Sequence, residues 1–242
     1  MPINYLARLT ARERTTTANV HLGALLSFVA GALNAGSFLA IGQYTSHMTG
    51  IVSSAADNLA LGNMGLTIAA ALALFSFIAG AATTALLVSY SKRNHHKNIY
   101  ANPLKVEAVL LLVFGAVGAT LQLHEIISIS LTAILLCYMM GLQNALVTKI
   151  SSAEIRTTHV TGLVTDIGIE LGKLVYWNKN DAGSPHAVVA NRNRLRVHAL
   201  LAISFFIGGV IGALGFKYAG FASTIPLAVP LIAMSLAPSL QS

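Results

Sequence analysis

The sequence predicts an all-α membrane protein: six transmembrane helices plus two short re-entrant half-helices, arranged as an inverted 3+3 repeat. Three observations predict it. The composition is 55% hydrophobic and 10% charged, with mean hydropathy +0.70, whereas soluble domains carry about 25% charged residues. A polar phrase occurs twice, Thr45-Ser46-His47-Met48-Thr49-Gly50 and Thr157-Thr158-His159-Val160-Thr161-Gly162. Each copy follows a second echo, Gly31-Ala32-Leu33-Asn34-Ala35 and Gly141-Leu142-Gln143-Asn144-Ala145. Finally, the basic residues distribute on one face of the membrane only if the short helices do not cross it.

Residues 1–20 read as a polar cytoplasmic N-terminus, loose or interfacial. Arg8, Arg12 and Arg14 precede an apolar run, and Ala30-Gly31-Ala32 resembles a signal-peptide cleavage site. The run continues to Ile41, longer than a signal core, and Asn34-Ala35 belongs to the repeat, so it reads as an uncleaved first span. The apolar segments are 21–42, 66–90 and 106–123 in the first repeat (21–123), and 126–148, 198–216 and 221–238 in the second (126–238). Each is near or above the length that crosses a bilayer core. Two shorter stretches, 50–62 and 161–176, follow the Thr-Gly phrases and are broken by Ser53, Ser54 and Asp57, and by Thr165, Asp166 and Glu170. As helix the first is about 20 Å long, too short to span comfortably.

Charge decides whether these short helices cross. If neither does and the N-terminus is cytoplasmic, 14 of the 15 Lys and Arg residues face the cytoplasm and only Lys217 faces out. If both cross, the cluster from Lys92 to Lys105 moves outside with Lys149 and Arg156, and the split becomes eight against seven. The positive-inside bias selects the first arrangement. Three spans per half is an odd number, so the second half inserts upside down relative to the first, a plan recurrent in transporters.

Polar groups at such depth are costly unless partnered, which marks the phrases as the working part. Thr49 and Thr161 are placed to cap the short helices. Gly50 and Gly162 allow close approach of a ligand or backbone. The helix ends offer free N–H groups and positive dipole ends to an anion, a carbonyl or a water; the plain alternative is that Thr and Ser side chains cap these ends and nothing binds. Thr45 and Thr158 stand with His47 and His159 in the candidate substrate site, where a histidine can donate, accept or carry a proton. Asp57 and Asp166 are the candidates for proton or ion coupling, while Glu170 and Lys173 read equally as interfacial. Asn34, Gln143 and Asn144 are expected to support, by hydrogen bonds across helices. Gly208 and Gly212 read as a helix-packing pair, and Glu107 as interfacial beside Lys105. No metal site and no cofactor are expected: no two histidines share an i, i+4 spacing, and Cys137 is the single cysteine. The net charge of +7 sits in loops beside spans, which argues against nucleic acid.

At the phrases Gly141–Ala145 and Thr157–Gly162 the chain resembles the YoaK-type family of bacterial membrane proteins, a domain of unknown function with about six predicted spans. The likeness runs from about residue 20 to 238, and the second-half phrase is its specific part. The family pattern has Asp-Ala where this chain has Asn34-Ala35, and Thr-Gly-Asn where it has Thr49-Gly50-Ile51, which removes one acid and one amide from the presumed pocket. The resemblance implies membrane location and fold but no activity. The function expected is a small transporter or permease of the inner membrane, termini cytoplasmic, with the lipid bilayer and a small polar or anionic solute as partners and a homodimer plausible. Its rivals are a membrane-embedded enzyme using His and Asp as acid and base, and a non-catalytic scaffold.

Overall fold

The computed structural model describes residues 2–12, 14–42, 44–121, 125–150, 160–176 and 187–240. The elements in order are α1 (Pro2–Leu9), α2 (Thr16–Ile41), α3 (Met48–Ala60), α4 (Met64–Arg93), α5 (Ala101–Leu121), α6 (Glu125–Ile150), α7 (Val160–Val175), α8 (Arg192–Ala219), a 3-10 turn (Gly220–Ser223), α9 (Thr224–Leu236) and a closing 3-10 turn (Ala237–Leu240). No strand occurs among the described residues. Among the described residues, five stretches are long and apolar enough to cross a membrane: Thr16–Leu39, Met64–Arg93, Ala101–Ala119, Leu131–Ile150 and Arg192–Leu236. The last, 45 residues, takes in both α8 and α9, where the sequence reading drew two separate spans. The chain changes course between them at Gly220, whose φ of 56° is left-handed and suits the residue without a Cβ.

The helices outrun the apolar segments at their ends because polar residues extend them. α8 starts at Arg192 rather than 198, its first turn capped by the Asn191 side chain, which accepts from the Arg194 N–H. The N-terminus is not loose. α1 packs against α9 and the closing turn, and Ala7, Leu9 and Thr10 are buried. Arg14 then ties the start of α2 to the end of α6. Its Nη2 donates to the Ile150 carbonyl at 3.1 Å, and its guanidinium lies 4.4 Å from the centre of the Tyr100 ring.

Two tight helix pairs form the frame, α2 with α8 and α4 with α6. In the first, Gly208 meets the Phe28 carbonyl and Gly31 meets the Phe205 carbonyl so closely that a Cβ on either would overlap the oxygen. In the second, Gly80 meets the Tyr138 carbonyl and Gly141 the Phe77 carbonyl in the same way. Exchange α2 for α6 and α8 for α4, and the same contacts recur. Side-chain hydrogen bonds seal both seams: Ser27 Oγ donates to Leu201 O at 2.8 Å, Ser76 Oγ to Ile134 O at 2.7 Å, and Thr84 Oγ1 to Leu142 O at 2.8 Å. Small residues and hydroxyls are the expected seam where lipid is as apolar as leucine. The partners advance in step along both helices of each pair, so the members of a pair run parallel. The Gln143 amide crosses between the pairs, donating to Leu26 O at 3.1 Å.

α5 and α9 close the bundle. Gly115 and Gly118 of α5 face Thr224 and Phe221, so the two helices run antiparallel. Phe114, Phe216 and Phe221 pack together, with ring centroids 5.4 to 6.2 Å apart. Outward, α4 and α8 present Phe75, Leu86, Phe206 and Ile211, the faces that lipid covers.

Candidate functional site

The first polar phrase is built by a reversal after α2. Gly42, with φ 71°, ends the helix and its N–H returns to the Phe38 carbonyl. Tyr44 stacks on Phe38, the centroids 4.5 Å apart. The chain then runs back along α2. Thr45 Oγ1 lies 3.5 Å from Ser37 Oγ, and the Asn34 side-chain oxygen accepts from Ser46 Oγ at 2.7 Å and from the Ser46 N–H at 3.4 Å. Asn34 lies about 10 Å down the axis from the end of α2, so the phrase is held at that depth before α3 begins. Asn34 thus bonds the loop that follows its own helix. The Gln143 amide donates to the Leu26 carbonyl on α2, and Asn144 is half-buried beside it on α6; the phrase Thr157 to His159 that they precede lies outside the described residues.

The threonine caps are a correction. α3 starts at Met48 with His47 at its N-cap and no side-chain cap, so Thr49 is already the second helical residue and is exposed. α7 starts at Val160, and Thr161 is likewise its second residue and exposed. α3 begins two residues upstream of the predicted 50, and residue 160, one upstream of the predicted 161, is already helical, so neither threonine sits at the cap, and the first-turn amides of α3 have no side-chain cap. Thr158 and His159 lie outside the described residues.

A cavity of about 630 Å³ opens at the start of α3. Tyr44, Thr45 and His47 form its floor, Gly50, Ser54 and Asn58 of α3 one wall, and the Leu66–Ala73 stretch of α4 with Ala133, Ile134 and Cys137 of α6 the rest. Among the described residues, no acid or Lys/Arg side chain lines it. The His47 ring lies directly over Gly50, where a Cβ would overlap it. A larger residue at 50 would push the ring aside. Asp57 is exposed and off this wall. At 100° per residue it stands about a quarter turn from the stripe through His47, Ile51, Ser54 and Asn58.

The matching region of the second half is charged. Asp166 Oδ2 on α7 lies 3.3 Å from Arg194 Nη2 and 3.8 Å from His198 Nδ1 on α8. Gly162 is half-buried at the start of the same helix. Glu170, its side chain 3% exposed, accepts from Lys173 Nζ at 2.9 Å and from the Asn191 N–H at 2.6 Å, pinning the start of α8. Glu170 is not the interfacial group the sequence allowed. Arg194 and His198 were missed as site residues: Arg194 counted only toward topology, and His198 looked like the first residue of a span.

The hydrogen bond from Lys173 holds the Glu170 carboxyl below its usual range, helped by the Asn191 N–H and opposed by burial. A carboxyl lowered in the fold contributes stability that is full above the ordinary carboxylate value of about 4.3. That stability is lost as pH falls through the lower folded value. Glu170→Gln is therefore expected to unfold at lower temperature than wild type at neutral pH, with the gap closing in acid. A constant gap from neutral to acid pH in thermal unfolding would refute the pairing.

Long apolar helices packed through glycine seams around a polar, cavity-lining loop define a multi-pass helical membrane protein. A family model matches residues 22–237, and the chain belongs to that family, described as a protein of unknown function (DUF1275). No curated protein and no solved structure matches it.

Proposed function

We propose that this protein is a small transporter or permease of the inner membrane, termini cytoplasmic, that takes a small polar or anionic solute at the start of α3. The observation that carries the reading is the cavity itself: about 630 Å³, at the depth where Asn34 holds the polar loop. Its polar lining of hydroxyls, an amide and an imidazole beside an uncapped helix N-terminus favours a neutral or negatively charged guest. Thr45, His47 and Gly50 would contact it, with Thr49 supplying a first-turn amide. The 630 Å³ is within the ordinary range of small-molecule sites, about 300–1,000 Å³.

The recurrent glycine contacts support reading the two helix pairs as halves of an inverted repeat. Counting α8 separately from α9 taken with its flanking 3-10 turns (220–240) gives six spans, with α3 and α7 as re-entrant half-helices entering from opposite faces. In that frame Thr161 and Gly162, with Thr158 and His159, form the counterpart of the first phrase. Asp166 is the better of the two coupling candidates, since it is engaged by Arg194 and His198 while Asp57 stands off the cavity. Backbone bent at such depth needs protein or a wet cavity around it, and transporters use such ends for their substrates.

The test is a deletion strain complemented with wild type, Gly50→Val or His47→Ala, with untargeted measurement of solutes in cells and medium. Deletion is expected to shift at least one polar solute several-fold. Wild type should restore it, and Gly50→Val, whose side chain displaces the His47 ring, should not. A deletion that shifts no solute under any growth condition, or full restoration by both variants, would leave the scaffold reading in its place.

A further inference from the structure

We propose that Glu107 is a proton-binding site in the seam between α5 and α9, occupied by a proton in the conformation described and emptied when that seam opens to water. Glu107 is 1% exposed, and neither carboxyl oxygen has a hydrogen-bond partner. It lies about 9 Å along the axis from the start of α5. It shares the i, i+4, i+8, i+11 stripe with Leu111, Gly115 and Gly118, and those glycines face Thr224 and Phe221. The carboxyl therefore looks toward the second half of α9.

That surface has no donor to offer. The buried side chains of α9 are Thr224, Leu227, Ala228, Leu231, Met234 and Ser235; the two hydroxyls are spent on the Phe221 and Ile232 carbonyls. α9 and both 3-10 turns carry no titratable residue. On α6 the described titratable side chains are Cys137, which lines the cavity, Tyr138, whose hydroxyl pairs with Thr83 at 2.7 Å, and Lys149 in the last turn. On α4 they are Tyr90, Lys92 and Arg93 at the helix end, all exposed. α8 meets α5 at Phe216, next to Lys217 and Tyr218, both exposed. Lys105 on α5 itself is exposed, as are His95, His96 and Lys97 in the loop before it; Tyr100 is buried there but donates its hydroxyl to the Lys149 carbonyl at 3.2 Å, and Arg14 over its ring bonds the Ala11 and Ile150 carbonyls. A carboxylate with neither donor nor cation in such a seam costs several kcal/mol or more, so the group is a neutral acid here. Ionisation requires water or a new partner, and both require α5 and α9 to part. Proton release is thereby tied to a conformational change, the element a coupled transporter needs. The coupling rests on the transport reading; the protonation does not.

Infrared difference spectroscopy of the protein in lipid vesicles across pH reads the proton directly. Wild type is expected to carry a protonated-carboxyl band at neutral pH that is lost in alkali. Glu107→Gln should lack it and Glu107→Asp should shift it, the latter serving if the glutamine variant does not fold. No such band in wild type at neutral pH, or one unchanged in both variants, would overturn the assignment. For the opening, Leu231→Cys in a Cys137→Ser background is treated with a water-soluble maleimide. Its labelling should rise several-fold in alkali with Glu107 present, beyond the rise seen with Glu107→Gln. Equal rises in both would overturn the coupling and leave the protonation standing.

Discussion

Gly141→Leu is expected to abolish the folded protein, and Gly141→Ala to weaken it severely. A Cβ at Gly141 falls on the Phe77 carbonyl oxygen, with the Phe77 backbone carbon and Cα close behind. Backbone cannot rotate out of the way as a side chain can, so α4 and α6 must separate. Separation would also strain the Ser76–Ile134 and Thr84–Leu142 hydrogen bonds, each worth about 0.6 kcal/mol in a membrane bundle. Overpacking alone costs about 1–3 kcal/mol. With one or both hydrogen bonds lost, Gly141→Ala should fall near the top of that range, a drop of roughly 10 °C in unfolding temperature for a chain of this size. Gly31, Gly80 and Gly208 meet carbonyls in the same way and should behave alike. Gly168 and Gly172 of α7 have nothing within 4 Å of a built Cβ; alanine there should be neutral or slightly stabilising, by the helix preference of about 0.5–1 kcal/mol. Gel filtration and thermal unfolding in detergent check the set. A Gly141→Leu protein that elutes and melts like wild type would mean the α4–α6 seam is not as described.

The seam was half legible. Gly208 and Gly212 could be read as a packing pair from spacing alone, but Gly31 and Gly141 drew attention as parts of an echo, not as contacts. Their role depends on which helix lies opposite, and hydropathy carries no partner information: α2 and α6 look alike by composition. Helix starts were legible only to within about two turns, because Arg192, Arg194 and Arg196 read as loop charges while in fact forming the first turns of α8. The depth of Glu107 was hidden for a related reason. One acid beside a lysine near a span end looks interfacial until the rotation of the helix is known, and the stripe through Gly115 and Gly118 becomes meaningful only once α9 is placed. Asn34 was legible because a buried amide beside a polar phrase must bond something, and the nearest unsatisfied groups are those of the phrase itself. Asp57 was grouped with Gly50 by the i+7 spacing, which holds for the helix, but its side chain is exposed and does not line the cavity.

Cysteine labelling from the two sides of the membrane is expected to give an all-or-none pattern at four positions. In a Cys137→Ser background, single cysteines replace Asn63, Asn94, Asn191 and Gly220. Asn94 follows the end of α4, and Asn191 precedes α8. The α2–α8 contacts advance in step from Ser27 with Leu201 to Gly36 with Phe216, so Asn191 lies level with the start of α2 and Gly220 level with its end. The α4–α6 contacts place Asn63 at the opposite end of α4 from Asn94, near the start of α6. Arg14 bonds the Ile150 carbonyl, which sets the start of α2 beside the end of α6. The inverted repeat therefore predicts that Asn94 and Asn191 share the N-terminal face, and that Asn63 and Gly220 share the other. Positive charge orients the whole: Lys92, Arg93, Arg192, Arg194 and Arg196 cluster on the first face, which the positive-inside bias makes cytoplasmic. A membrane-impermeant maleimide added to intact spheroplasts should modify the Asn63 and Gly220 positions and spare the other two until the membrane is opened. Modification of Asn94 and Asn63 from the same side would mean that α4 does not cross. Modification of Asn191 with Gly220 would make α8 a hairpin on one face. Either result removes the opposed orientation of α3 and α7, and with it the reason to expect their polar phrases to meet near the middle of the bilayer.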